Sequence, residues 1–327
     1  MDRRLDRAMG ALAGLALGDA LGMPSQTLPR AAIRAAYGEI RDFVAPYADH
    51  PVSHGLPAAA VTDDTEQVLL LADLLIRGDG RMDDRAWAAA LIGWEADVRA
   101  RGLRDLLGPS SKRALESLLA GVPADQTGRT GTTNGAAMRI APVGIACAAD
   151  DLPALVAAVQ AACRVTHATR EAIAAAAAVA AVISQGIDGA GFEAAIPLAL
   201  DAARLGATLG APVGEADMAG RIDAALAAAK DAETLAATIG TSVASRESVA
   251  AAFGVVRLAR GDAWRAAQIA ANIGDDTDTI GAIAGAMAGA CSGLMALPQD
   301  RVARVLAVNR LDLAPVARGL LALRGAS

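Results

Sequence analysis

Glycine falls at every fourth position twice in this chain, at Gly10, Gly14, Gly18 and Gly22 and again at Gly281, Gly285, Gly289 and Gly293. Residues four apart share one face of a helix, so each set draws a smooth stripe along which another backbone can approach closely. A glycine inside a helix costs about 0.5 to 1 kcal/mol relative to alanine, so eight of them need a packing reason. The pattern predicts two helices, remote in sequence, that cross near each other at the centre of the fold.

The rest of the sequence reads as helices too. Apolar residues recur at helical spacing over about residues 5–22, 62–77, 84–99, 111–120, 135–148, 152–164, 169–185, 189–205, 217–229, 247–260, 262–271, 278–296 and 300–309. The breaks between them carry Gly, Pro or Asp, as at Gly121-Val122-Pro123. No stretch alternates strongly enough to predict a strand. Hydrophobic residues make up 54% of the 327 and aromatics 2%, which supplies a large core while starving a β-sandwich of the residues its strands need. No linker or composition shift divides the chain, so the expectation is one compact all-α domain over residues 1–327.

The same arithmetic narrows the partners. A net charge of -6 and few aromatics leave neither the basic footprint nor the stacking platforms of a nucleic-acid binder. Residues 279–298 carry no charge, but they are mostly Gly and Ala with four acidic or amide residues just before them, so a buried central helix is expected rather than a membrane span. Cys147, Cys163 and Cys291 are odd in number and widely spaced, which reads as reduced thiols in a cytoplasmic protein. The apolar run at residues 9–17 is interrupted by glycine and followed by Asp19, so export is not expected.

The chemistry is concentrated in two acidic clusters. One is Thr62-Asp63-Asp64-Thr65-Glu66, and the other is Gly274-Asp275-Asp276-Thr277-Asp278-Thr279. Each stands where a helix should begin, and a lone cluster would read as a capping box. Two such clusters exceed what capping needs, and their contiguous carboxylates repel unless a cation or solvent relieves them. Hard oxygen ligands without His or Cys select Mg²⁺, Mn²⁺ or Ca²⁺. If the clusters face each other they suit a pair of divalent cations about 3.5 to 4 Å apart. An EF-hand fails, because Ile280 and Met287 stand where it needs oxygen ligands. The Asp-x-Asp-x-Thr of aspartyl-phosphate phosphatases also matches Asp276 to Thr279 formally, but belongs at the end of a strand in an α/β fold.

Three further features are weaker. Residues 131–142 join a turn-prone Asn134-Gly135 to a predicted helix, which suits phosphate or sugar oxygens. His167 lies between two predicted helices, where it could meet a ligand or pack between them. Residues 38–61 form the longest stretch without helical period, a candidate binding loop, and its His50 and His54 lack a shared helical face for a metal.

Taken in order, Leu17-Gly18-Asp19-Ala20-Leu21-Gly22, Thr62-Asp63-Asp64-Thr65, Asn134-Gly135-Ala136-Ala137-Met138-Arg139, Thr166-His167 and Asp276-Thr277-Asp278-Thr279-Ile280-Gly281 resemble the ADP-ribosylglycohydrolase family. The resemblance implies a compact all-α fold with two Mg²⁺ or Mn²⁺ ions at the base of a cleft, hydrolysing a bond at the anomeric carbon of ribose. It also implies Thr62, Asp63, Asp64, Asp276, Asp278 and Thr279 as metal ligands, with Asp63 and Asp64 in catalysis. Gln26, Asn134, Gly135, His167 and Asp275 would lie near the substrate, a ribose-containing small molecule or an ADP-ribosylated protein.

The chain departs from the family pattern at three places. Gln26 stands where members acting on ADP-ribose typically carry Glu, and an amide cannot serve as general base. Asp275 replaces a common Gly, which would bring an extra carboxylate to the cleft and disfavour a pyrophosphate. Thr133 also replaces a Gly, narrowing the approach of a diphosphate. Gly22-Met23-Pro24-Ser25, with the segment of Arg30 and Phe43, looks like a bacterial branch linked to nucleoside catabolism, so an N-riboside is the competing substrate. A structural, crystallin-like member is a further alternative, opposed by retention of every acidic ligand position.

Overall fold

The computed structural model describes residues 2–103 and 107–324. Seventeen α-helices and no strand are found among them, and 68% of the chain is helical. The all-α expectation therefore holds, and the aspartyl-phosphate reading loses the sheet its nucleophile requires.

The glycine seam is real. Helices Arg3–Gly22 and Thr277–Ser292 run antiparallel in backbone contact, with Gly10 facing Gly289, Gly14 facing Gly285 and Gly18 facing Gly281. A Cβ added at any of these would overlap a carbonyl oxygen of the opposite helix. At the end of the seam, Gly22 lies against the backbone of Thr277 and Asp278. The stripe thus does more than pack two helices: it carries Asp19, one residue beyond Gly18, to the first turn of the first acidic helix, Asp63–Arg77. The last glycine differs from expectation. Gly293 lies past the helix with φ 89°, so it ends the helix in a backbone conformation that side-chain-bearing residues seldom adopt.

Around the seam, Arg170–Ile187 packs against Thr277–Ser292 and Phe192–Gly206 through a continuous run of alanines. It is the one helix among the described residues long and apolar enough to cross a membrane, and 89% of it is buried inside the protein. The uncharged segment weighed from sequence, 279–298, lies mostly in the helix Thr277–Ser292, which is buried as far as Ala290, while Met295 beyond it is exposed.

Three helices have no counterpart in the sequence reading: Arg30–Tyr37, Ala232–Ile239 and Leu313–Arg324. The first two are only two turns long, with a single buried residue and two buried residues respectively, so their apolar period was too short to register. The helix expected over 135–148 is two, Gly135–Met138 and Ala141–Ala146. Pro142, which has no N–H to continue the first, sits in the opening turn of the second.

Candidate active site

The helix Asp63–Arg77 starts without a cap of its own, since the side chain of its N-cap Thr62 makes no capping bond. The cap comes from another helix. Asp19, fully buried, accepts hydrogen bonds from the Thr62 N–H (3.0 Å), the Thr62 hydroxyl (2.7 Å), the Thr65 N–H (3.1 Å) and the Thr65 hydroxyl (2.5 Å). Burial nevertheless dominates and raises the Asp19 carboxyl to about 6. With the orphan N–H groups served by Asp19, Asp63 and Asp64 are released from capping.

The second helix, Thr277–Ser292, also lacks a side-chain cap at Asp276. Thr277 instead donates its hydroxyl to the Gly22 carbonyl (2.9 Å) and receives the Ser25 hydroxyl (3.1 Å), fastening the helix start to the end of the seam. Asp278 accepts from the Thr279 N–H (3.0 Å), and the Thr279 hydroxyl reaches Asp64 Oδ2 at 3.4 Å, so the two clusters meet. Asn134 donates its amide to Asp276 and to Ser248 (2.8 Å), which holds the third motif against the second cluster.

Five carboxylates feel this enclosure. Asp63, Asp64 and Asp278 are pushed well above the ordinary carboxylate range, first by burial and then by neighbouring carboxylates: Asp19 and Asp276 act on Asp63, Asp63 and Asp19 on Asp64, and Asp276 and Asp63 on Asp278. Burial raises Asp276 to about 6, against the hydrogen bonds from Asn134 and Thr279. Like charges are gathered here with no Lys or Arg ion pair to any of the five among the described residues.

A cleft of about 280 Å³ opens over this cluster. Gln26, Asp63, Asn134, Gly135, Asp276, Asp278 and Thr279 line it, with Lys112 and Thr133 on the walls. Thr62 and Asp64 lie behind Asp63, at 1% and 0% exposure. Gln26 donates to the Ser53 hydroxyl (2.8 Å), which in turn donates to the Met23 carbonyl (2.8 Å). Ser53 belongs to the long loop, whose His50 is buried and accepts from the Ser53 N–H at Nδ1 (2.9 Å). His50 thus fixes the loop that brings Val52 to the cleft wall.

Two expected contacts fall elsewhere. His167 is fully buried and absent from the cleft wall; its Nε2 lies 3.0 Å from the Thr133 hydroxyl, so it supports a wall residue from behind. Burial, with Arg139 and Arg113 nearby, lowers its pKa well below the usual imidazole value. Asp275 is exposed, is absent from the cleft wall, and accepts from the Thr241 hydroxyl (2.7 Å). It therefore adds no carboxylate to the cleft. Its φ of 57° explains why Gly is common at this position, and Asp is among the few other residues that tolerate it.

Sequence reasoning passed over Asp19 as a site residue. An Asp amid Ala, Leu and Gly in a helix destined for burial was the available signal, because a buried carboxylate must find donors. Arg139 proves wholly buried, donating to Gln67 (2.6 Å) and Thr166 and lying over the Trp87 ring, so it braces the site from below.

No group of three His, Cys, Asp or Glu side chains is drawn in around one point among the described residues. The fit to a divalent cation rests on the all-oxygen donor set and on one orphan: Asp64 Oδ1 is buried without a hydrogen-bond partner, which is costly unless something else meets it.

The all-helical scaffold thus brings two acidic helix starts together beneath one cleft. The profile of the ADP-ribosylglycohydrolase family matches residues 1–327, and the chain belongs to that family. It is 35% identical over 316 residues to YegU, an uncharacterized protein of Escherichia coli (strain K12), covering 94% of each chain. It is 29% identical to the ADP-ribosylarginine hydrolase Tri1 of Pseudomonas putida (strain GB-1), over 93% of this chain and 75% of that one. A solved structure described as an ADP-ribosylglycohydrolase-related protein complex superposes with a TM-score of 0.73 at 30% identity, covering 99% of this chain and 98% of that one.

Proposed function

We propose that the chain is a hydrolase that uses two divalent cations, Mg²⁺ or Mn²⁺, to cleave the bond at the anomeric carbon of ribose in ADP-ribose conjugates. The observation that carries this reading is the meeting of Asp63–Asp64 with Asp276–Asp278 under one cleft, with Asp64 Oδ1 left unpartnered. Thr62, Asp63, Asp64, Asp276, Asp278 and Thr279 are the residues assigned to hold the ions. When bound, such cations supply Lewis acidity toward ribose hydroxyls and water.

The chain's own groups divide the remaining work. Asp63 lines the cleft, whereas Asp64 is sealed behind it, so Asp63 is assigned to accept the proton of the attacking water. Gln26, neutral and fixed by Ser53, orients ligand or water without taking a proton. Asn134 and Gly135 form the facing wall. The three cysteines are all free thiols, which supports a cytoplasmic location.

An N-riboside remains the second reading, because Gln26, a neutral amide bonded to Ser53, and Thr133 stand in the cleft where ADP-ribose-cleaving members typically carry Glu and Gly. A structural, crystallin-like role is disfavoured, since a buried cluster of like charges weakens a fold that has no other use for it.

Chelation by EDTA should abolish hydrolysis and Mg²⁺ or Mn²⁺ should restore it; turnover indifferent to chelation overturns the metal assignment. Asp63→Asn and Asp278→Asn should each weaken cation binding in calorimetry, and unchanged binding would remove them from the site. Release of ADP-ribose from ADP-ribosylarginine, set against ribose release from nucleosides, decides the substrate. Turnover of nucleosides alone would overturn the first reading.

A further inference from the structure

A second cavity, of about 410 Å³, lies on the other side of the segments that frame the cleft. Helices Arg30–Tyr37 and Ala263–Ala271 wall it, and Arg30, Arg34 and Arg265 line it. None of these three guanidinium groups makes an ion pair or donates a hydrogen bond to the protein among the described residues. Glu39 is the one carboxylate in the lining, and it is committed to Arg41, which holds it at 2.6 Å. The floor is apolar, formed by Ile33 and Ile269.

The cavity is separate from the cleft, and the two share no lining residue. Between them runs an antiparallel bridge in which the Thr27 N–H donates to the Asp275 carbonyl (2.6 Å) and the Asp275 N–H to the Leu28 carbonyl (2.8 Å).

We propose that this cavity binds a small organic phosphate, with its phosphate on Arg30, Arg34 and Arg265 and its organic body on Ile33 and Ile269. Three guanidinium groups from two helices, making no hydrogen bond or ion pair within the protein among the described residues although Arg30 feels the charge of Asp231 and Arg265 that of Glu39, match the charge and fork geometry of a phosphate dianion. A carboxylate ligand would use this triad less fully, since it has one charge and two oxygens. The volume lies within the range of small-molecule pockets and exceeds what inorganic phosphate fills, and the isoleucine floor gives a sugar or base an apolar surface.

The inference does not rest on the hydrolase reading, and its test is separate. Calorimetry on the full chain would use inorganic phosphate, ribose 5-phosphate and AMP as probes. Ribose 5-phosphate or AMP should bind at least tenfold more tightly than inorganic phosphate. In the double variant Arg34→Gln/Arg265→Gln the affinity for the organic phosphates should fall at least tenfold, with hydrolysis of the enzyme's substrate unchanged. Glu39→Gln should tighten binding two- to fivefold, because it removes the lining's negative charge. Equal affinity for all three probes would reduce the site to an adventitious ion and overturn the proposal. Binding that survives the double variant would place the probe in the catalytic cleft and overturn it equally.

Discussion

Six of the described helices open on an aspartate that behaves as a cap should. Asp2, Asp83, Asp151, Asp217, Asp231 and Asp262 are exposed, and each accepts a hydrogen bond from the first turn of its own helix. Asp63–Arg77 and Thr277–Ser292 open on acids that do the opposite. Asp63, Asp64 and Asp278 are buried, and neither helix is capped by the side chain of its N-cap residue. In sequence both groups are acids before an apolar run. What separates them is burial and the source of the cap: for Asp63–Arg77 it is supplied by Asp19, across the core. An acid freed from capping and held against its own kind is available for something else.

The glycine seam makes this difference possible, and filling it should have the largest effect. Gly18→Val would drive a branched side chain into the backbone at Gly281, forcing the helices apart and separating Asp19 from Thr62. The destabilisation should reach the upper end of the about 1 to 3 kcal/mol typical of overpacking, or pass it. Loss of soluble, cooperatively unfolding protein is the expected readout. A variant that melts like the parent would show that the seam can open at no cost.

Next in size is a change of sign. Asp64→Asn removes one charge from a buried set whose pKa values are raised by burial and mutual repulsion. In EDTA it should therefore raise the melting temperature, by about 1 to 2 °C for a relief of about 1 kcal/mol in a chain of this length. It should also abolish any rise in melting temperature produced by Mg²⁺ or Mn²⁺. A melting temperature that falls in EDTA would place Asp64 with the structural caps and break the contrast.

How much of this was legible depended on whether the deciding information was local. The seam was, because four-residue spacing is a helical property and glycine has few other reasons to repeat so. Both acidic clusters were legible from the strain of contiguous charge, and the family resemblance implied that they share one site. Asp19's role was not, since a cap donated from 43 residues away leaves no trace beside the helix it serves. Asp275 and His167 were drawn to the cleft by their place in motifs. Asp275 is instead set by a left-handed backbone position and Thr241, and His167 by the three side chains of Thr133, Arg139 and Thr166 that enclose it.

The buried imidazole extends the contrast to pH. His167 has its folded pKa pushed well below 6.5, so between the two values the unfolded chain binds the proton and the folded one does not. Its neutral burial is fully tolerated above about pH 6.5 and destabilises as pH falls through that range. His167→Asn should consequently lose less melting temperature than the parent between pH 7 and pH 5. An identical fall in both would show that the ring takes up its proton inside the fold. Because the ring is already neutral near pH 7, the pH–rate profile should show no limb that disappears in the variant.

The smallest effect tests the ordinary side of the comparison. Asp151 accepts the Ala154 N–H at 3.0 Å in an exposed position, and nothing else about it is unusual. Asp151→Ala should lower stability by about 1 kcal/mol, as loss of a cap does, and the effect should be the same in EDTA and in excess Mg²⁺. That insensitivity is the point of the measurement. Asp64→Asn and Asp151→Ala each remove one carboxylate from a helix start, and they should move stability in opposite directions in chelator. Only the first should alter how the protein responds to a cation. If the two variants shifted together under both conditions, burial would not be what distinguishes the acids, and the case for a cation at Asp64 would fall with it.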